Sequence, residues 1–418
     1  MPYNAILKPA ARQPRIALYS HDTMGLGHMR RNLLLAQSLC ESSPNVIILM
    51  IAGAREAAAF PMPPNVDCLT LPALSKNRNG HYSCRHMAIS LPEMAMVRSG
   101  AIRAALEAFE PDVLIVDNVP RGAVRELDAT LKSIRGRGRT RTVLGLRDII
   151  DDPAVVRAEW RMAANEQTIL DYYDAIWVYG DARVCNPALE YGFRPEVADR
   201  LRFAGYLDQR ERLSFAGNGD KSLLRKLNLP PGRLILGAVG GGQDGARLAD
   251  AFTRAQLPPA TNSVLLTGPF MPLRTRARIL HRAERNPRLR VLEFVREPAV
   301  LLDHADRVVA MGGYSTTCEI LSFDKHALIV PRVKPRREQF IRAQRLTDLG
   351  LVHSIHPDEL TADRISAWLA RDLGAPPNAS SQLDFSGLRR VPELLRELLE
   401  ESNVTWTPAI EARRISRV

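Results

Sequence analysis

The sequence predicts an α/β protein made of two doubly wound, Rossmann-like domains facing each other across a cleft. Three observations lead there. Short, near-continuously apolar runs alternate with helical patterns through both halves of the chain. The alternation breaks once, at Tyr206 to Lys221 (YLDQRERLSFAGNGDK), and then resumes. Finally, 418 residues are too many for one ordinary core.

In the first half, Arg15 to Ser20, Val46 to Ile51, Val66 to Leu71, Val113 to Asp117, Thr142 to Leu146 and Ala175 to Tyr179 read as strands. Runs this short and this apolar fit strands buried on both faces, as in a parallel sheet covered by helices. The second half repeats the pattern with Leu234 to Val239, Ser263 to Thr267, Arg290 to Leu292, Arg307 to Ala310 and Ala327 to Pro331. The expected division is 1–210, 211–385 and a helix and tail at 386–418 that pack back on the first domain. That helix is read from LRRVPELLRELLEE, Leu388 to Glu401, whose apolar positions fall at helical spacing. Its basic residues make contact with an anionic membrane surface a second use for it.

Two segments depart from the alternation. Ala73 to Pro92 (ALSKNRNGHYSCRHMAISLP) is a long polar insertion carrying His81, Cys84 and His86. A zinc site would need a fourth ligand at suitable spacing, and the sequence offers none nearby, so no metal is assigned. Arg135 to Arg141 (RGRGRTR) reads as a basic, solvated connector. It lacks the interleaved aromatics of a single-strand-binding surface, so nucleic acid is not among the expected partners.

Composition bounds the partners further. A formal net charge of +11, carried mostly by arginine, favours acidic ligands, and guanidinium forks suit phosphate oxygens. The five cysteines are odd in number and scattered, which fits a reducing cytosol. MPYNAILKPAARQPR at the start has no signal-peptide core and no apolar run is long enough to cross a bilayer. The expected location is cytoplasmic, with any contact at the inner face of the plasma membrane being peripheral.

Three glycine turns carry the chemistry. Ala17 to Leu39 (ALYSHDTMGLGHMRRNLLLAQSL) runs from strand to helix through Gly25, Gly27 and His28. Glycines there let the backbone approach a ligand, and the first amides of a helix attract anions. Leu234 to Phe252 (LILGAVGGGQDGARLADAF) repeats the device with Gly240, Gly241, Gly242 and Gly245. The third, MGGYSTTCE from Met311 to Glu319, places Gly312, Gly313, Tyr314, Ser315, Thr316 and Thr317 at a helix start. Glu319 can accept hydrogen bonds from ribose hydroxyls, or simply sit as a favourable charge near a helix N-terminus. Asp117, Arg147 and Asp148 end strands of the first domain, where ligand-facing residues gather, so they are candidates for acceptor binding or for strand-end capping.

These residues together resemble glycosyltransferase family 28 and its GT-B-fold peptidoglycan N-acetylglucosaminyltransferases. The resemblance rests on G-G-Q-D-G-A (Gly241 to Ala246), M-G-G-Y-S-T-T-C-E (Met311 to Glu319) and R-R-E-Q-F (Arg336 to Phe340). The opening S-H-D-T-x-G-L-G-H-x-R-R, Ser20 to Arg31, is similar to that of a group of predicted glycosyltransferases. The resemblance implies a donor site in which Glu319 holds the ribose and Gly313, Tyr314, Ser315 and Thr316 meet the diphosphate. Gly241, Gly242 and Gln243 would face the nucleotide, and Glu338 and Gln339 the sugar, where the family has two glutamines. Gly25 and Gly27 would bind a diphosphate or acceptor pyrophosphate, with His28 or Asp22 as general base, the alternative for His28 being a helix-capping or loop-ordering role without proton transfer.

The function expected from this is inverting, metal-independent transfer of a hexose, with N-acetylglucosamine the family's sugar, from a nucleoside diphosphate donor such as UDP. The acceptor is a hydroxyl of a glycan or a lipid-linked molecule, and no cofactor is called for. No Asp-x-Asp occurs in the chain, so the metal clamp of the other major glycosyltransferase fold has no candidate. A nucleotide-sugar hydrolase or epimerase on the same fold, and a non-catalytic nucleotide-sugar-binding protein, remain as alternatives. A nicotinamide oxidoreductase ranks low, because the first loop reads G-L-G-H-M-R rather than G-x-G-x-x-G.

Overall fold

The computed structural model describes residues 12–21, 27–54, 56–57, 60–76, 81–217 and 222–400. Asp22 and Gly25 lie outside the described residues.

Two parallel sheets organise the chain. The first contains β1 (Arg15–Ser20), β2 (Ile47–Ala52), β3 (Val66–Thr70), β6 (Val113–Asp117), β7 (Arg141–Arg147), β8 (Ala175–Tyr179) and β9 (Leu201–Phe203) in the order β3-β2-β1-β6-β7-β8-β9. Between β3 and β6, β4 (Leu74–Lys76) and β5 (Tyr82–Cys84) form an antiparallel hairpin. The second sheet contains β10 (Arg233–Ala238), β11 (Thr261–Leu266), β12 (Leu289–Leu292), β13 (Arg307–Ala310), β14 (His326–Ile329) and β15 (His353–Ser354) in the order β12-β11-β10-β13-β14-β15. Every strand pair in both large sheets is parallel.

In each sheet the first strand lies inside, the next two step outward, and the chain then crosses to the other side. This makes β1/β6 and β10/β13 the topological switch points, outside whose carboxyl ends such folds bind ligands. The glycine turns after β10 and β13 sit there, as does Gly27, which opens the helix that follows β1.

The helices that matter to the site are α1 (Gly27–Ser42), α2 (Leu91–Phe109), α3 (Asp128–Arg137), α4 (Ala246–Arg254), α5 (Tyr314–Ser322), α6 (Glu338–Asp348) and α7 (Gly387–Glu400). Helix α1 buries Met29, Leu33, Leu34, Leu35, Ala36 and Leu39, an apolar face broad enough to pack on the sheet and on α7 at once. Val391, Leu395 and Leu399 of α7 are buried, and Ser38 of α1 donates a hydrogen bond to the Leu388 carbonyl at 2.7 Å. Each leucine so buried contributes roughly 1.5–3 kcal/mol. The outer face of α7 pairs Arg389 with Glu393 and Arg396 with Glu400, acids one turn on, while Arg390 pairs with Asp384 just before the helix.

Some elements differ from expectation. The strand expected at Val46 to Ile51 runs one residue later, and β9 and β15 were not foreseen because three- and two-residue edge strands leave no apolar run. The polar insertion is a hairpin followed by α2, whose N-cap Ser90 exchanges a full capping box with Glu93. The expected connector at Arg135 to Arg141 is instead the end of α3, a Gly138 cap in the left-handed conformation and the start of β7. Its arginines pair with Glu107, Glu110, Asp112 and Asp174, which uses the charge locally. No described helix is long and apolar enough to cross a membrane.

Candidate functional site

The two switch points meet. Ser315, in the first turn of α5, donates to the Gly27 carbonyl at 3.4 Å. A Cβ on Gly27 would lie 2.6 Å from the Ser315 hydroxyl oxygen, so only glycine allows this approach. The N-termini of α1 and α5 are thereby brought together across the domain interface, and neither has an acidic residue in its first turn.

On the first-domain side His28, Asp117 and Arg147 form one chain of contacts. Asp117 closes β6 and is 1% exposed. His28 Nδ1 lies 2.5 Å from its Oδ2, while Arg31, one turn along α1, bonds Oδ1. A carboxylate only accepts, so Nδ1 carries the proton and the Nε2 lone pair is free to accept. Arg147, at the end of β7, donates to that Nε2 at 2.7 Å.

Burial alone would raise the Asp117 carboxyl, but Arg31, His28 and Arg147 outweigh it and hold the group below the usual carboxylate range. Burial pushes the His28 imidazole down, Asp117 opposes, and Arg147 adds to the lowering. The Arg147 guanidinium is itself lowered to about 10 by burial and by Arg31. The result is a neutral histidine whose orientation and tautomer are fixed by a buried carboxylate. His21, at the end of β1, stacks obliquely on His28 with ring centroids 4.6 Å apart.

On the second-domain side, Glu319 of α5 is buried and its Oε1 is held by Arg212 at 2.5 Å. Arg212 belongs to the short helix Arg212–Phe215 between the domains and also grips Glu297 at 2.8 Å. Arg332, after β14, links the other two elements by pairing with Asp244 at 3.1 Å and Glu338 at 2.7 Å, while its backbone N–H donates to the Gln339 side chain. The β4–β5 hairpin reaches over to this side. Arg85 stacks on Phe270 at 4.6 Å, and Phe270 donates its N–H to the Gly241 carbonyl. Burial lowers the Lys76 ammonium, and Arg336 and Arg332 add to the effect.

Several residues picked from the sequence serve the interface rather than an open cleft. Asp148, placed there among acceptor-binding candidates, is wholly buried and spends both oxygens on Arg342 and Tyr206. Tyr314 donates its hydroxyl to the Tyr179 carbonyl at 2.7 Å, pinning α5 to the first sheet. Gly242 is buried with φ +90°, and a Cβ there would meet the Thr267 carbonyl oxygen at 2.2 Å. It shapes the turn against the next loop. Gly241, Gln243, Gly313 and Thr316 stay partly exposed, and Glu338 and Gln339 are buried against Arg332. Cys84 donates to the Ile89 carbonyl, and among the described residues no cluster of His, Cys, Asp or Glu has the geometry of a metal site.

Sequence reasoning missed Arg31, His21, Lys76, Arg212, Arg332 and Arg342. For Arg31 a signal existed, since i and i+3 on one helix face put it beside His28. Lys76, Arg212 and Arg342 depend on contacts between residues far apart in the chain, whereas His21 and Arg332 also meet partners six or seven positions away, His28 and Glu338.

Residues 239–383 match the glycosyltransferase family 28 C-terminal domain. Among curated relatives, the UDP-N-acetylglucosamine–N-acetylmuramyl-(pentapeptide) pyrophosphoryl-undecaprenol N-acetylglucosamine transferase of Histophilus somni is 28% identical over 81 residues, 19% of this chain and 23% of that one. The chain spans about a quarter to a third of the length of the curated relatives it matches. Over nearly full length it superposes on the Acinetobacter baumannii MurG structure, covering 92% of this chain and 99% of that one, with TM-score 0.55 and 12% identity. A UDP-GlcNAc 2-epimerase from Neisseria meningitidis, bound to UDP-GlcNAc, superposes with TM-score 0.57 and 13% identity over 93% of this chain and 99% of that one. Such identities speak for the fold. Residues 239–383 thus carry a match to the glycosyltransferase family 28 C-terminal domain, and the two Rossmann-like sheets joined at their switch points have the GT-B fold of these structures.

Proposed function

We propose that the chain is an inverting hexosyltransferase that needs no metal and moves a sugar, N-acetylglucosamine by analogy with its curated relatives, from a UDP donor to a hydroxyl of a glycan or lipid-linked acceptor. The observation that carries this reading is the pairing of His28 with Asp117 beside the N-terminus of α5, a helix that lies within the match to the family 28 domain. In this reading His28 Nε2 takes the acceptor hydroxyl's proton while Asp117 holds Nδ1–H. The acceptor oxygen bonds to the anomeric carbon as the bond to the diphosphate breaks. The electron pair leaves with the diphosphate, toward the free amides of α5 and the cations of the interface. Glu319 receives the ribose hydroxyls, oriented by Arg212.

The test is calorimetry with uridine, guanosine and thymidine diphospho-sugars on the wild type and Glu319→Ala, followed by UDP release with and without a hydroxyl acceptor. Selective binding of a UDP-hexose, lost in the variant, with UDP formed only when acceptor is added, is the expected result. UDP formed in water alone would favour a hydrolase, and a folded protein that binds no donor would end the transferase reading.

A further inference from the structure

We propose that Arg147 is an anion-operated gate on His28: it ties up the base nitrogen in the arrangement seen here and releases it when a phosphate-bearing ligand draws the guanidinium away. Nε2 is the atom that has to accept a proton. Arg147 donates to it at 2.7 Å, and a lone pair engaged by a guanidinium cannot take a proton from a hydroxyl.

Arg147 is poorly provided for where it sits. Its Nε is buried without a hydrogen-bond partner among the described residues. The carboxylate that does most to favour its charge, Asp117, is already bonded to His28 and Arg31. Other cations surround it, with Arg31 in contact with the same carboxylate and Arg342 committed to Asp148. Lys76, Arg332 and Arg336 add positive charge at the same interface, where Glu338 is already paired with Arg332. A guanidinium held, among the described residues, by a neutral imidazole nitrogen alone gains from exchanging it for a bidentate, charge-assisted bond to phosphate oxygens.

Of the groups facing His28, Asp117 on β6 and Arg31 on α1 stay in place, His21 remains stacked on the ring, and Arg147 on β7 leaves. The Nδ1–H still points to Asp117, and Nε2 becomes a bare lone pair. The base is then armed only when an anionic substrate is seated. The use of that base rests on the transfer reading above. The gate itself concerns only Arg147, His28 and an anion.

The experiment uses the full chain labelled with 15N-histidine. The His28 side-chain signals are assigned with His28→Gln and titrated with pH in the absence and presence of inorganic pyrophosphate, of UDP, and of both. Expected in the wild type is a hydrogen-bonded Nε2 signal that moves to the free-imidazole position when the anion binds, with an upward shift in the imidazole pKa. Arg147→Met should show the moved signal without ligand and no further change on adding one. A response to UDP alone identifies the donor diphosphate as the trigger, and a response only with added pyrophosphate identifies an acceptor anion. Anion binding that leaves His28 unmoved, no anion binding at all, or an Arg147→Met protein whose His28 titrates as in the wild type would each overturn the gate. Release of His28 by pyrophosphate in a protein that binds no nucleotide sugar would leave the gate standing while the transferase reading fell. Acceptor-dependent turnover with an unresponsive His28 would do the reverse.

Discussion

Arg342 of α6 meets Asp148 of the first domain in a buried pair, with Nη2 2.7 Å from Oδ1 and Nε within 3.2 Å of both carboxylate oxygens. Tyr206 donates to the same carboxylate, and Arg342 also donates to the carbonyls of Gly312 and Ile149. The pair is the centre of a row in which Arg336, Arg337 and Arg345 reach Asp151, Asp152 and Glu190. Removing one partner leaves the other charged, buried and unpaired, so Arg342→Met or Asp148→Asn should each cost about 3–5 kcal/mol in urea unfolding. The double variant should cost clearly less than the sum, because the second change removes the orphaned group. Additive losses would mean that the two residues act independently.

Acid should weaken the fold through the same cluster that forms the candidate site. Burial and the neighbouring His28 lower the His21 pKa, and burial lowers that of His28. The unfolded chain therefore binds protons near the ordinary histidine value of about 6.5 that the folded chain refuses. That contribution is complete above the unfolded pKa and is lost as pH falls toward the folded one. Asp117, whose pKa is also lowered on folding, adds a loss of the same sign further down, below the ordinary carboxylate range. Urea midpoints should fall steadily from about pH 7.5 to about pH 5, and His21→Leu should flatten the slope. Midpoints that rise on acidification would contradict the assignment.

How much of this was legible in the sequence depends on range. Strands such as Val113–Asp117 announce themselves because every residue is buried and the run is short. The glycine turns were visible for the same reason, since a turn from a buried strand into a helix leaves few residue choices. The pairing of His28 with Asp117 was not, because 89 residues separate them and only the switch-point topology brings β6 beside α1. Arg212 was hidden differently. It lies in the stretch read as a linker, and nothing in RERLSF says that its guanidinium reaches back to Glu297 and Glu319.

Two glycines of the same loop should respond differently to alanine. At Gly242 the φ is +90° and a Cβ would sit 2.2 Å from the Thr267 carbonyl oxygen and 2.9 Å from the Met271 nitrogen, so backbone has to move. At Gly240 the φ is +60° and nothing lies within 4 Å of a Cβ. Gly240→Ala should cost only the left-handed penalty of about 1–2 kcal/mol. Gly242→Ala should cost more and should also disturb the Phe270 contact with Gly241, seen as a larger fall in thermal midpoint.

Arg212 and Glu319 offer a test in which binding, charge and pH are linked. Arg212 lies between two carboxylates, Glu319 at 2.5 Å and Glu297 at 2.8 Å, and is itself buried. Replacing it with Met leaves two acids facing each other without their cation, and one of them is driven to take up a proton at higher pH than in the wild type. If ribose hydroxyls donate to Glu319, protonating it removes an acceptor of charge-assisted hydrogen bonds, each worth about 1.5–3 kcal/mol. UDP should therefore bind Arg212→Met at least about tenfold more weakly than wild type at pH 6, since tenfold corresponds to about 1.4 kcal/mol. Relative to the wild type, the affinity of the variant should recover as pH rises and the carboxylate ionises. Calorimetry at three pH values reads this directly. A variant that binds UDP at full strength and without pH dependence would show that Glu319 takes no part in holding the nucleotide, and that Arg212 serves only to neutralise the interface.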